Sequence, residues 1–179
     1  MKNNRASERY AKSLFQLSIK DNLLNDIKSD IDYLKKLFSS SREISQLYIN
    51  PIIPIHHKIE ITNKIFEGKI NDLTLRMMLN VIYRKRDNLI ENILLKFNEI
   101  YNDYNNIVES EIITTSKLDH DNLEYIKRFA KKITKKNIFL KEKTDNNIIG
   151  GFNLKVGDKM YDCTVSTKIK EIKKILINN

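Results

Sequence analysis

The sequence contains few of the residues that build covalent or ligand-bound scaffolds. A single cysteine, Cys163, excludes an intramolecular disulfide and a cysteine-cluster metal site. No apolar run approaches the roughly 20 residues that a membrane-spanning helix needs, and the N-terminal segment lacks the apolar stretch of a signal peptide. The 179 residues, 41% of them hydrophobic and 31% charged, instead predict a cytoplasmic protein with a core of its own.

Glycine and proline are also scarce, with four and two residues respectively. Two of the four glycines, Gly150 and Gly151, are adjacent within Asp145 to Thr164, a stretch whose pattern predicts a β-hairpin. Glycine weakens a strand unless a bulge, a bend or a close backbone approach requires the missing side chain. We therefore predict a bend or bulge at this pair, in the first strand of the hairpin.

The net charge of +9 favours a nucleic-acid or membrane-surface partner only weakly. Lys, Asn and Ile are abundant while Ala, Gly and Arg are scarce, which is typical of an AT-rich genome. The basic excess is also spread along the chain, with 17 basic and 13 acidic residues in 1–105 and 15 and 10 in 106–179. A basic helical nucleic-acid-binding protein remains the alternative interpretation, and it would need cations clustered on one face beside stacking aromatics.

Residues 1–105 read as an all-helical N-terminal domain. Ile27, Ile31, Leu34 and Phe38 recur at spacings of three and four, which is typical of helices packed in a bundle. Serine runs, two prolines and Gly68 interrupt the pattern at the expected helix ends. The predicted helices cover about residues 5–20, 23–38, 41–48, 54–66, 72–83 and 87–104.

Residues 106–179 read as a small α+β domain, so the whole chain is predicted to be α+β with a six-helix bundle first. Strands are expected at 107–115 and 138–142, followed by a hairpin of 148–156 and 160–163 with Gly157 and Asp158 in its turn. Asp119 is expected to cap one helix, and Thr164 or Ser166 a last one. The apolar residues of that last helix repeat at 4-3-4: Val165, Ile169, Ile172 and Leu176.

No catalytic, cofactor-binding or metal-ligating constellation is predicted. The adjacent His56 and His57 point about 100° apart on a helix, Gly150-Gly151 opens no helix that could hold a phosphate, and Cys163 has no activating histidine nearby. The first and fifth helices are apolar over more than one face. Such a helix is either central in the core or leaves one face for a partner.

Ordered motifs along nearly the whole chain resemble those of the ATP synthase delta subunit family, called oligomycin-sensitivity-conferring protein in mitochondria. Residues 9–15, Arg-Tyr-Ala-Lys-Ser-Leu-Phe, are similar to the family's opening motif, and Asn50-Pro51 with Lys58 to its short-helix break. The most specific match is the C-terminal signature, with Ile148 and Thr164 as mild departures. Its residues here are Ile149, Gly150, Gly151, Phe152, Gly157, Asp158 and Asp162.

The resemblance implies a non-catalytic stator connector of the proton-translocating ATP synthase, without cofactors, linking the b subunits of the peripheral stalk to the top of the alpha/beta catalytic head. The first and fifth helices would form a groove for the N-terminal segment of an alpha subunit, although the family's Asn-Gly-Arg turn is replaced by Arg84-Lys85-Arg86. The groove residues carried over are Tyr10, Ala11, Leu14, Phe15, Met78, Leu79 and Ile82.

The resemblance also implies how the subunit is placed. The C-terminal domain would bind the C-terminal ends of the b subunits, and nucleic acid would not be a partner. The subunit would be monomeric alone and present in one copy per complex. It would lie on the cytoplasmic side of the inner (plasma) membrane and contact that membrane only through the complex.

Overall fold

The computed structural model describes residues 2–116, 118–134, 136–145, 148–156 and 159–177. The chain divides into two compact units, Met1–Tyr101 and Asn102–Asn179. Helices fill the first unit, and the second combines helices with one four-stranded sheet. The α+β class predicted from the sequence is confirmed.

Helices of the first unit begin and end where the local side chains predict. Asn71 accepts a hydrogen bond from the backbone N–H of Leu73 at 2.9 Å and caps the fifth helix, whose predicted range of 72–83 matches the structure. Its α-helices are α1 (Lys2–Lys20), α2 (Leu24–Ser40), α3 (Arg42–Ile49), α4 (Ile55–Phe66), α5 (Asp72–Tyr83) and α6 (Ile90–Tyr104), with a 3₁₀ turn at Asp87–Leu89 before α6. The boundary between the units falls within the last turn of α6.

The serine run at the end of α2 corrects one predicted boundary. The helix was expected to end at Phe38, yet it continues through Ser40. The hydroxyl groups of Ser39 and Ser40 donate to carbonyls of the preceding turn and so remain compatible with helix. The third serine, Ser41, caps α3 by accepting from the N–H of Ile44, as predicted.

The core of the first unit gathers the apolar stripes of its helices. Phe15 of α1 meets Phe97 of α6 edge to face, with ring centroids 5.8 Å apart. The polar side chain of Asp30 on α2 accepts from the Asn71 backbone N–H and the Thr74 hydroxyl, both at 2.8 Å, and so ties α2 to the start of α5. Fully buried side chains of this core include Ala11, Ile27, Ile31, Leu34, Phe66, Met78, Ile82, Ile93 and Phe97.

The second unit is a four-stranded sheet of order β2-β1-β3-β4 with one face covered by a helix. β1 and β2 run parallel and are joined through α7, whereas β1 with β3 and β3 with β4 are antiparallel. Ile112 and Leu154 of the sheet are fully buried with Ala130 of α7. The elements are β1 (Ile107–Thr114), α7 (His120–Thr134), β2 (Asn137–Thr144), β3 (Gly151–Val156), β4 (Lys159–Thr164) and α8 (Val165–Ile177).

The glycine pair lies at the start of the hairpin, and this corrects the predicted first strand of 148–156. β3 begins at Gly151, and Gly150 lies in a bend before it. Gly151 has φ +81°, and a Cβ atom there would lie 2.4 Å from the Cys163 carbonyl oxygen. The predicted bend is therefore present but precedes the strand, and glycine is required because two backbones approach closely. The predicted turn residues Gly157 and Asp158 lie outside the described residues.

Candidate partner-binding surfaces

A cleft opens on the first unit between α1 and the end of α5. It encloses about 190 Å³ and is lined by Arg9, Tyr10, Ser13, Asn80 and Arg84. Residues 9 and 13 are four positions apart and so share one face of α1. Arg84, the C-cap of α5, lies four positions after Asn80. The Nε atom of Arg84 donates to the Asn80 side-chain oxygen at 3.0 Å, which fixes this arginine at the rim. The surface of the cleft is therefore polar and cationic.

The seven groove residues expected from the family resemblance lie mostly beneath this surface. Tyr10 lines the cleft, and Leu79 is half-buried. The other five are buried in the core, where they help to hold the helices of this unit together: Ala11, Leu14, Phe15, Met78 and Ile82. A partner lying in the cleft would therefore meet the polar residues beside the apolar stripes rather than the stripes themselves.

Four residues of the cleft surface were missing from the sequence-based prediction: Arg9, Ser13, Asn80 and Arg84. The signal that could have found them is their spacing of four on the flanks of the two apolar stripes. The apolar stripe of an amphipathic helix is the face that packs against the core of its own domain. The residues that border such a stripe are then the ones left at the surface between two helices.

The last helix, α8, presents an apolar stripe to solvent. Ile169 is 59% exposed, Ile172 is 58% exposed and Leu176 is 74% exposed. These side chains recur at spacings of three and four and so lie on one face of the helix. Further exposed apolar side chains on α8 are Val165, Ile175 and Ile177. Contiguous exposed apolar surface of this kind marks a site of interaction with another molecule.

The start of α8 is fixed by Asp162, one of the family-signature residues. Its carboxylate accepts from the Thr164 backbone N–H at 2.9 Å and from the Thr167 hydroxyl at 2.7 Å. The hydrogen bond from the Thr164 backbone, followed by that from Thr167, lowers the pKa of Asp162 below its ordinary value. Thr164 caps the helix, since its hydroxyl oxygen accepts from the Thr167 N–H at 3.3 Å. Asp162 therefore has a structural task at the strand-to-helix corner.

The glycines of the signature complete the same corner. The Gly150 carbonyl accepts from the N–H of Val165, the first residue of α8, at 3.0 Å. A Cβ atom on Gly150 would lie 3.2 Å from the Val165 side chain. Of the other signature residues, Phe152 packs against the core of the second unit and Ile149 is exposed. Three residues of the signature, Gly150, Gly151 and Asp162, thus support the start of α8.

A second cationic surface lies along α7. Among the described residues, a cavity of about 450 Å³ is lined by side chains of that helix: Tyr125, Arg128, Phe129, Lys131 and Lys132. Tyr125 is exposed and Phe129 half-buried, and both lie on the same face because they are four residues apart. This is the grouping of cations and aromatics that the nucleic-acid-binding alternative requires.

The described residues lack two further kinds of feature, a metal-holding cluster and a membrane-spanning helix. Within the described ranges, no group of three or more histidine, cysteine or carboxylate side chains is placed to hold a metal ion. None of the described helices has both the length and the apolarity needed to cross a membrane.

Comparison with known proteins assigns the family. The sequence profile described as ATP synthase delta (OSCP) subunit matches residues 6–176. The ATP synthase subunit delta of Amoebophilus asiaticus (strain 5a2) is 32% identical over 173 residues, covering 96% of this chain and 94% of that protein. That of Halalkalibacterium halodurans is 28% identical over 181 residues, covering 99% and 98%.

A solved structure supports the fold. A chain of the Toxoplasma gondii mitochondrial ATP synthase hexamer superposes with a TM-score of 0.72 at 18% identity, covering 96% of this chain and 97% of that one. At this identity the likeness concerns the fold alone. The family profile and the two relatives each match nearly the full length of this chain. The chain therefore belongs to the ATP synthase delta (OSCP) subunit family, and it is a structural component of the stator rather than a catalytic subunit.

Proposed function

We propose that this chain connects the peripheral stalk of the ATP synthase to its catalytic head through two separate contacts. The second unit binds the C-terminal ends of the b subunits, and the first unit binds the N-terminal segment of an alpha subunit. The observation that carries the proposal is the solvent-exposed apolar stripe of α8, centred on Ile169 and Ile172. The subunit acts as one copy on the cytoplasmic side of the membrane and reaches the bilayer only through the complex.

The α8 stripe suits a helical partner. Apolar side chains at spacings of three and four can pack into the groove of a second helix, as in other helix-recognition surfaces. Lys168, Lys170, Lys173 and Lys174 lie on the same helix, so that a partner with acidic residues beside its apolar seam would gain charge complementarity. Asp162 and the two glycines fix the base from which α8 projects.

The α1–α5 cleft suits a different kind of segment. Its lining of two arginines, a tyrosine, a serine and an asparagine offers hydrogen-bond donors and positive charge. An amphipathic alpha-subunit segment would place polar or acidic side chains on Arg9 and Arg84 and an apolar one beside Tyr10 and Leu79. Two contacts on two units raise the effective concentration of each partner for the other. That retention matters for a stator, because a slow off-rate keeps it bound under rotor torque.

Co-purification from cell membranes tests the proposal. A tagged chain with Ile169→Ser and Ile172→Ser should recover at least about tenfold less b subunit than the unaltered chain, because each exposed anchor contributes more than about 1 kcal/mol. Its matched control, Lys173→Ser, changes an exposed polar residue of the same helix and should recover b normally. Alpha subunit should be recovered in all three. Undiminished b recovery by the double variant would rule out α8 as the stalk contact.

The α7 surface allows the alternative function to be tested on the same chain. If the protein bound nucleic acid, single-stranded DNA would bind with a steep salt dependence and lose affinity on Tyr125→Ala. If the chain is a stator connector, we expect no binding of single-stranded DNA that depends on Tyr125.

A further inference from the structure

A second cavity on the first unit lies between the segment joining α3 to α4 and the turn after α5. It encloses about 450 Å³, a volume typical of ligand-binding pockets. Part of its wall is apolar and includes Ile49, Ile53 and Ile55, of which Ile49 is half exposed to solvent. Its lining is distinct from that of the α1–α5 cleft and from the α8 stripe.

The floor of this cavity is a buried ion pair. Lys58 is only 3% exposed, and its ammonium group pairs with the Asp87 carboxylate and donates to the Tyr48 carbonyl oxygen at 3.2 Å. Among the described residues these two acceptors use two of the three N–H donors of the ammonium group. The third N–H donor has no acceptor among the described residues, and Lys58 itself lines the cavity.

The mouth of the cavity carries a lysine in a backbone conformation that favours glycine. Lys85 has φ +57° and directly follows the α5 cap. Its N–H donates to the Ile82 carbonyl at 2.9 Å, and that of Arg86 donates to the Val81 carbonyl at 3.0 Å. This pair of hydrogen bonds defines the helix-ending turn in which glycine is strongly preferred at the position of Lys85.

Lys85 differs in residue type from the other non-glycine residues that have a positive φ angle. Within the described residues they are Asn22 and Asn106, and asparagine tolerates this conformation better than other side chains. Lys85 is therefore a strained residue, and backbone strain is commonly retained where function needs the side chain. Its cation lies at the mouth of a cavity whose floor already holds Lys58 with its charge balanced by Asp87.

We propose that this cavity binds a short segment of a partner protein in which an aspartate or glutamate adjoins an aliphatic residue. The carboxylate would lie between Lys85 and the free donor of Lys58, and the aliphatic side chain would pack on the isoleucine wall. Charge complementarity selects an acidic segment, because among the described lining residues Lys85 adds a positive charge to the balanced pair of Lys58 and Asp87. The site is additional to both contacts of the proposed connector and does not depend on them.

A peptide titration of the full chain tests this site. The probe is acetyl-Leu-Glu-Leu-Glu-Leu-amide, with its glutamine counterpart as the uncharged twin, followed by NMR of isoleucine methyl groups. The glutamate peptide should shift the methyl signals of Ile49, Ile53 and Ile55, and the glutamine twin should bind at least about fivefold more weakly. Absence of these shifts, equal binding of the two peptides, or shifts confined to other isoleucines would overturn the proposal.

The Lys85→Gly variant separates binding from folding. It should unfold at a higher temperature than the unaltered chain, since glycine relieves the strain, and yet bind the glutamate peptide at least about fivefold more weakly. Asn22→Gly is the matched control, because it makes the same kind of change at a left-handed residue outside the cavity lining. It should bind as the unaltered chain does. Unchanged affinity of Lys85→Gly would overturn the role of the strained lysine.

Discussion

Gly151 lies so close to Cys163 on the neighbouring strand that a Cβ atom on the glycine would be 2.4 Å from the Cys163 carbonyl oxygen. β3 and β4 are antiparallel here, with Gly151 paired to Thr164. The same few residues lead into α8, since Val165 donates its N–H to Gly150. The exposed helix that we propose as the stalk contact is therefore supported by a corner whose backbones approach too closely for a side chain at residue 151.

Replacing Gly151 by alanine should destabilise the second unit by about 3 kcal/mol, because the new Cβ meets backbone atoms and φ +81° adds strain. Gly68→Ala is the matched control, since Gly68 has φ +73° but open space around its Cα. It should cost only about 1 kcal/mol, in the first unit. Native-state hydrogen exchange measures each unit by itself. Equal costs for the two substitutions would show that the close approach is unimportant.

The stability of the β4–α8 corner should decrease in acid through Asp162. Its pKa is lower in the folded chain than the ordinary value of 3.8, chiefly because it accepts the Thr164 N–H and then the Thr167 hydroxyl. The stability it contributes is fully present above pH 3.8 and is lost as the pH falls through the lowered folded value. Asp162→Asn should remove this acid-dependent loss, as followed by thermal unfolding between about pH 2 and 6.

A second variant checks the cause of that pKa shift. Thr167→Val removes one of the donors, so the pKa of Asp162 should rise toward its ordinary value while the aspartate is still present. Carboxyl-carbon NMR reports this titration directly. An Asp162 that already titrates at 3.8 in the unaltered chain would contradict the hydrogen-bonded corner.

Local signals explain which parts of the fold could be predicted. The predicted range of α5 matches the structure, where Asn71 caps the start of the helix and a turn at Arg84–Arg86 follows its last residue. β2 was predicted as 138–142 but extends over Asn137–Thr144. Its extra residues are polar, and they are held by parallel pairing with β1, where Lys141 and Lys143 form ion pairs with Glu109 and Glu111. Such pairing depends on contacts distant in sequence.

The candidate site was less predictable than the fold for a similar reason. Periodicity identifies an apolar stripe but does not reveal what covers it. The stripes of α1 and α5 are covered by the core of their own unit, so that Leu14 and Met78 are buried. The stripe of α8 has the same periodicity and is left exposed. Only the packed chain distinguishes these two cases.

Removing only one partner of the buried ion pair between Lys58 and Asp87 should strongly lower the free energy of unfolding. Lys58→Met leaves the Asp87 carboxylate, whose side chain is 16% exposed, without its partner and should destabilise the first unit by about 3–5 kcal/mol. The double variant Lys58→Met/Asp87→Leu should recover most of that loss, because neither charge then remains buried alone. Urea denaturation of both variants measures the difference. A double variant no more stable than Lys58→Met would argue against the pair.

Substitutions at two neighbouring residues of α1 should show whether the partner contacts the buried apolar stripe or the surface of the cleft. Leu14 is 2% exposed, so Leu14→Ala should lower the free energy of unfolding of the first unit by about 3 kcal/mol. Ser13 is exposed and lines the cleft, so Ser13→Trp should leave that free energy within about 0.5 kcal/mol and fill the space that a partner needs.

Binding of an alpha-subunit N-terminal peptide, measured by calorimetry, should therefore be lost in Ser13→Trp. It should persist in Leu14→Ala at a temperature where that variant is folded. The reverse result would place the partner on the core stripe instead of the polar cleft.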